Sequence, residues 1–290
     1  MSRPAAPRRI LDSHFHLFRR ADVPQAGLLA AGALQRDFHW DDFEAAWDGL
    51  PVASALLVQV RPEADGLAEA EVIGSVARSV GRLAGMVAGN VVEDVGTRDE
   101  LRALAALGHV RGIRRGTQFH PDPLYLGRPE VVTGFREVVE LGLVPEVCVK
   151  HFQLDGVIAL AEALGDTPLV VDHLGKPEMV LPIDGTWRER MARLAEHPGV
   201  VVKASVVVQQ PDDPPLDRAA AGTVVREVID IFGWDRVLFG SNWPVSTVLI
   251  SYRDWVELLM DVLQGAGEDE LDRFFYRNAA RTWRLAEAAS

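Results

Sequence analysis

The sequence predicts an α/β protein, a single (β/α)8 TIM barrel formed by residues 1–290. Three observations lead there. Eight short apolar segments recur along the chain, mostly separated by helix-like stretches. The segments are rich in Val, Ile and Leu rather than strictly alternating, as expected of strands buried on both faces of a parallel sheet. The length, 290 residues, is that of one closed barrel, and a count of eight strand–helix units favours closure over an open, doubly wound sheet.

In chain order the predicted strands are Arg9–Asp12, Ala55–Val60, Leu83–Ala88, Val110–Arg114, Val144–Val149, Pro168–Asp172, Val200–Ala204 and Val237–Gly240. Amphipathic patterns between them predict helices over Leu67–Val80, Asp99–Leu107, Leu154–Leu164 and Trp187–Glu196. Two connections are long. Leu17–Trp40 follows the first strand and carries Pro24, Gly27 and Gly32, and Gln118–Pro129 follows the fourth. Loops at the carboxyl ends of barrel strands build the active site, so both are candidate lids. Trp234, Trp255 and Trp283 are expected in the core.

Composition narrows the partners. Lys and Arg total 30 against 42 Asp and Glu, a net charge of −12. With no basic run, nucleic acid is not an expected partner, because phosphate binding needs clustered Lys and Arg. No apolar run approaches the roughly 20 residues that span a bilayer, and the basic Met1–Arg9 leads into no apolar segment of signal-peptide length. A single cysteine, Cys148, forms no intrachain disulfide. The expectation is a cytoplasmic protein acting on a small molecule. Oligomeric state is not legible.

Several residues have the chemistry of a site. His14 and His16, two apart at the end of the first strand, point to one side of it and suit zinc or a related divalent metal. His173, just after the sixth strand, fits a metal ligand, a general base or a carbonyl-polarising group, or else a cap on the turn formed with Gly175 and Pro177. His151 follows the fifth strand as a further ligand, a substrate contact or a loop histidine. Lys203 is a charge inside an apolar strand and needs a carboxylate or the barrel mouth, so it is read as a structural pair or a substrate contact. Arg114 is the expected anchor for an anionic substrate among Arg61, Arg111, Arg114 and Arg115, since guanidinium holds carboxylates bidentately. Gln59 and Asn90 lie near strand ends and offer hydrogen bonds to substrate. Cys148, in an apolar strand, reads as inert packing.

Taken together, Leu11-Asp12-Ser13-His14-Phe15-His16-Leu17, Val110-Arg111-Gly112-Ile113-Arg114, Val171-Asp172-His173-Leu174-Gly175-Lys176-Pro177, Val202-Lys203-Ala204-Ser205 and Phe239-Gly240-Ser241-Asn242-Trp243-Pro244-Val245 run from first strand to last. In combination they resemble the amidohydrolase superfamily, in the branch that holds 2-pyrone-4,6-dicarboxylate lactonase and sugar-acid lactonases. The resemblance implies that His14 and His16 are the first-strand metal pair, that His173 is the sixth-strand histidine, and that Arg114 lies where lactonases hold substrate carboxylates. It implies one divalent ion, zinc or manganese, or none, because members of the branch differ. Asn242 matches the last-strand aspartate that usually serves as base. An asparagine accepts no proton at neutral pH, so the base passes to His173 or His151, and a site built from His14, His16 and Asn242 lacks an anionic ligand.

The expected activity is hydrolysis of a small lactone or related cyclic ester bearing a carboxylate. Two alternatives remain open, a metal-dependent decarboxylase of an aromatic or unsaturated acid and a repurposed barrel that binds a ligand without hydrolysis.

Overall fold

A computed structural model of the chain describes residues 7–22, 31–60, 66–209 and 213–285. Eight parallel strands pair in sequence order. They are β1 (Ile10–Phe15), β2 (Val52–Val58), β3 (Leu83–Gly89), β4 (Val110–Gly116), β5 (Val144–Cys148), β6 (Leu169–Val171), β7 (Val200–Ala204) and β8 (Val237–Phe239). Helices α1 (Trp40–Ala46), α2 (Gly66–Val80), α3 (Arg98–Ala106), α4 (Pro129–Glu140), α5 (Leu154–Leu164), α6 (Gly185–Ala195), α7 (Arg218–Phe232) and α8 (Tyr252–Val262) follow the strands in turn. The chain is a (β/α)8 barrel, as its sequence predicts.

The last seam closes beyond the regular ladder. His16 N donates to Trp243 O at 2.7 Å and Asn242 N to His14 O at 2.7 Å. Asp12 Oδ1 accepts from Ser241 N at 2.9 Å, and Ser13 Oγ donates to Phe239 O at 2.5 Å. The polar residues flanking the first-strand histidines therefore stitch β1 to β8.

Alternation along the strands sorts the aliphatic residues into two layers. Leu56, Val58, Val87, Val144, Val170, Val201 and Leu238 pack together inside the barrel, while Leu57, Met86, Val147, Val171, Val202 and Phe239 join the larger core under the helices. After α9 (Glu268–Asp272), Tyr276 from the π-turn Arg273–Arg277, Ala279 and Ala280 from α10 (Asn278–Thr282) and Trp283 just past it plug the inner layer. Trp255 and Trp283 are core residues as expected; Trp234 is half-buried.

Two residues further along the strands, the interior becomes charged. Arg114 lies above Gly112, Glu146 above Val144, Asp172 above Val170 and Lys203 above Val201. Period-two alternation forces all four inward, and all four are buried. β1 departs from this rule. Leu11 belongs to the interior and Phe15 to the outer core, and the β1–β2 register shifts between Asp12 and Phe15. That irregularity lets His14 and His16 both enter the mouth above Leu11.

Candidate active site

The site grows out of the charged layer. Lys203 Nζ sits 2.7 Å from Glu146 Oε1 and 3.3 Å from Asp172 Oδ1. Arg114 reaches Asp172 Oδ2 at 3.3 Å and also donates to the Gln59 carbonyl. Directly above, His14 Nδ1 is 3.2 Å from Asp172 Oδ1. The His14 ring lies 4.5 Å from that of His173 and 4.9 Å from that of His16, centroid to centroid. Among the described residues, the group placed to hold a metal ion is His14, Asp172 and His173, whose ligand atoms all lie within 4.8 Å of one another. His16 borders this group.

A left-handed turn aims His173. His173, Leu174, Gly175 and Lys176 all have positive φ (52°, 59°, 67° and 45°), and Gly175 N and Lys176 N close the turn onto Asp172 O and His173 O. Three of the four are not glycine, so the turn stores about 1 kcal/mol or more at each of them, as functional turns often do. It directs two polar side chains inward. His173 Nδ1 meets Ser205 Oγ at 2.7 Å, and the Lys176 ammonium donates to Gln118 Oε1 and, at 3.2 Å, to Val208 O.

Electrostatics keep the imidazoles neutral. Burial pushes His14 and His173 well below the usual histidine value, and burial together with the Arg114 guanidinium takes His16 down to about 3. Burial opposes ionisation of Asp172, but Lys203 and His14 hold its carboxyl well below the usual range. Burial and the nearby Asp172 push Glu146 up to about 8, against the pull of Lys203. Burial also raises Asp12 to about 6.

These shifts set a pH dependence of stability. Below about pH 6.5 the unfolded chain binds protons on these three histidines that the folded chain refuses, for His16 down to about pH 3, so their contribution falls as the pH drops. Asp12 and Glu146 act oppositely, because folding lets them keep protons the unfolded chain releases. Three imidazoles outweigh two carboxyls. The urea midpoint is expected to be lower at pH 5 than at pH 7, and an equal or higher midpoint at pH 5 would show that the buried histidines are not neutral.

The other expected site residues separate. Asn242 is at the mouth with φ 59°; its Nδ2 donates to Val206 O at 3.0 Å and its side chain bonds His16. Lys203 is fully buried beneath the histidines, so the structure supports its pairing role in place of a substrate contact. Gln59 points elsewhere: its Oε1 accepts from Gly89 N at 2.7 Å, and only its backbone carbonyl meets Arg114. His151, half-buried, approaches the Lys176 carbonyl at 3.3 Å and stands outside the metal-type group. Arg115 forms an ion pair with Glu93 at 2.6 Å, and Asn90 bonds Thr97 and Glu100. Arg61 lies outside the described residues. Burial raises the Cys148 thiol, consistent with inert packing.

The two expected lids also differ. Residues 118–129 form a fixed wall, held by Tyr125 Oη on Glu93 at 2.5 Å and by Gln153 Nε2 on the carbonyls of Thr117 and His120. Of the first loop, residues 23–30, with Pro24 and Gly27, lie outside the described residues. Its described ends, with α2, border an apolar cavity of about 650 Å³ that contains none of the mouth histidines.

Sequence reading missed Asp172 and Lys176. Both stand in the Asp-His-Leu-Gly-Lys-Pro segment, and inward alternation from Val170 marks Asp172. Nothing in local periodicity marks Lys176, because it arrives through the left-handed turn.

An amidohydrolase family model matches residues 11–285. The chain belongs to this amidohydrolase family. Curated relatives include an L-fucono-1,5-lactonase of Burkholderia ambifaria, 26% identical with 95% of each chain covered. Another, from Burkholderia multivorans, is 28% identical over 96% of this chain and 97% of the relative. A crystal structure of a Burkholderia multivorans amidohydrolase with bound zinc has a TM-score of 0.83, is 24% identical, and covers 96% of this chain and 99% of that one, a likeness of fold. No helix among the described residues is long and apolar enough to cross a membrane.

Proposed function

We propose that the chain hydrolyses a small lactone. The observation that carries this reading is the convergence of His14, Asp172 and His173 at the strand ends of an amidohydrolase chain. Its full-length likeness to L-fucono-1,5-lactonases supports the lactone as substrate class.

The donor set fits one divalent ion. Two imidazoles and a carboxylate suit zinc or manganese, and His14 Nε2 is buried with no hydrogen-bond partner. His14, Asp172 and His173 would hold the ion, with Asp172 as the anionic ligand that Asn242 does not provide. Bound there, it supplies a Lewis acid and lowers the pKa of water.

The chain's own side chains handle the proton. His16 Nδ1 lies 2.6 Å from Val58 O, which places its proton there and leaves Nε2, facing the Asn242 side chain, as the unprotonated nitrogen. His16 accepts a proton from the water that attacks the lactone carbonyl and returns it to the ring oxygen as the ester C–O bond breaks. The product is an open-chain hydroxy acid. Asn242, anchored on Val206 O, braces His16. In this account His16 and His173 exchange the roles expected from sequence.

A carboxylate on the substrate finds its counter-ion in Lys176 rather than Arg114. Arg114 is spent on Asp172, whereas Lys176 is buried with two neutral partners and no carboxylate within ion-pair distance among the described residues. A buried cation left in that state favours an incoming anion. Lys176→Met is expected to raise KM for carboxylate-bearing lactones roughly 10- to 100-fold, the loss of one charge-assisted hydrogen bond, with neutral sugar lactones unaffected. An equal change for both classes would remove Lys176 from this role.

The reading is tested by following acid release from a panel of neutral and carboxylated lactones in parallel with carbon dioxide release from aromatic and unsaturated acids. Ring opening is the expected result. Carbon dioxide without ring opening would replace it with decarboxylation, and neither activity would favour a binding barrel.

A further inference from the structure

Beneath the histidines an ammonium sits in a cage of metal-type donors. Lys203 Nζ lies 2.7 Å from Glu146 Oε1, 3.3 Å from Asp172 Oδ1 and 3.3 Å from His14 Nδ1. The Trp283 ring faces it from the plug at 5.1 Å. Two carboxylates within reach of one point are donors that a divalent ion collects, and the His14 ring borders them. Packing alone does not call for lysine here, since an unbranched apolar side chain such as Met would fill the same space against Trp283. Charge does. Glu146 and Asp172 share one buried layer with one other cation, Arg114, whose ion pair is to Asp172. Without the ammonium, Glu146 is left without an ion-pair partner among the described residues.

We propose that Lys203 is a built-in cation that occupies the place of a second divalent ion, so the mouth takes no more than one metal ion and His14 and Asp172 are held in position before any ion binds. The ammonium cannot exchange with solvent metals because it is tethered to β7. It contributes one positive charge rather than two, placed between Glu146 and Asp172. This inference goes beyond the lactonase reading and does not depend on it, because it concerns how many ions the chain holds.

The test counts ions. Native protein and Lys203→Ala are equilibrated with zinc, freed of unbound metal and measured by elemental mass spectrometry. Native protein is expected to hold no more than about one zinc per chain, and Lys203→Ala about one more than native. The double variant Lys203→Met/Glu146→Gln, which removes both charges, is expected to fold and to match the native count. Two ions in the native protein, or a folded Lys203→Ala that holds no more than native, would overturn the proposal. If Lys203→Ala is unfolded without metal, zinc is expected to restore its circular dichroism. Failure of zinc to do so while the double variant folds would overturn it as well. A lysine that merely fills the core predicts no gain of metal in any variant.

Discussion

Asp172→Asn is expected to cost about 3–5 kcal/mol of stability, the usual penalty for leaving a buried ion pair half-broken, and at least roughly 10³-fold in lactone turnover. The side chain keeps its size, so the effect isolates charge. Asp172 binds Lys203, Arg114 and His14 at once, at 3.3, 3.3 and 3.2 Å. An amide in its place leaves two cations sharing Glu146, whose own ionisation burial already opposes. It also withdraws the one carboxylate from the metal-type group. Urea unfolding and initial rates measure the two losses, and a variant within about 1 kcal/mol of native stability would show that the network is not organised around Asp172.

Asn242→Asp is expected to lower turnover by roughly 10²-fold rather than create or raise it, the scale of a misplaced proton-transfer group. In sequence terms the change restores the aspartate usual at this position. In the structure the amide is matched to its surroundings: Nδ2 donates to Val206 O at 3.0 Å, and the residue takes a left-handed conformation. A carboxylate would set a negatively charged oxygen against that carbonyl and lose the bond, at a cost of about 1–3 kcal/mol. Initial rates across pH check this, and a faster enzyme would mean that a carboxylate at 242 is the better base.

Much of the architecture was legible because it follows from side-chain periodicity. The apolar strands and the helix Leu154–Leu164 were readable from burial alone. The histidines His14, His16 and His173 were readable because their positions at strand ends leave few other places for them. The readings that sequence leaves open share a cause. Gln59, Lys203 and His151 sit at or near strand ends, but their side-chain directions depend on partners distant in sequence, namely Gly89 at β3, Glu146 at β5 and the Lys176 carbonyl. Asp172 and Lys176 were hidden for complementary reasons. One looks like the end of an apolar strand, and the other reaches the site only through four consecutive left-handed residues. The exchange of roles proposed for His16 and His173 has no signature in the sequence, since it rests on the Val58 carbonyl and the Ser205 hydroxyl.

The most direct measurement is the metal content and lactone turnover of native protein, His16→Ala and His173→Ala, purified without chelators. Native protein is predicted to hold about one zinc or manganese, His16→Ala to keep that metal while losing turnover, and His173→Ala to lose both. Metal lost from His16→Ala but retained by His173→Ala would contradict the grouping of His14, Asp172 and His173 as the centre of the site.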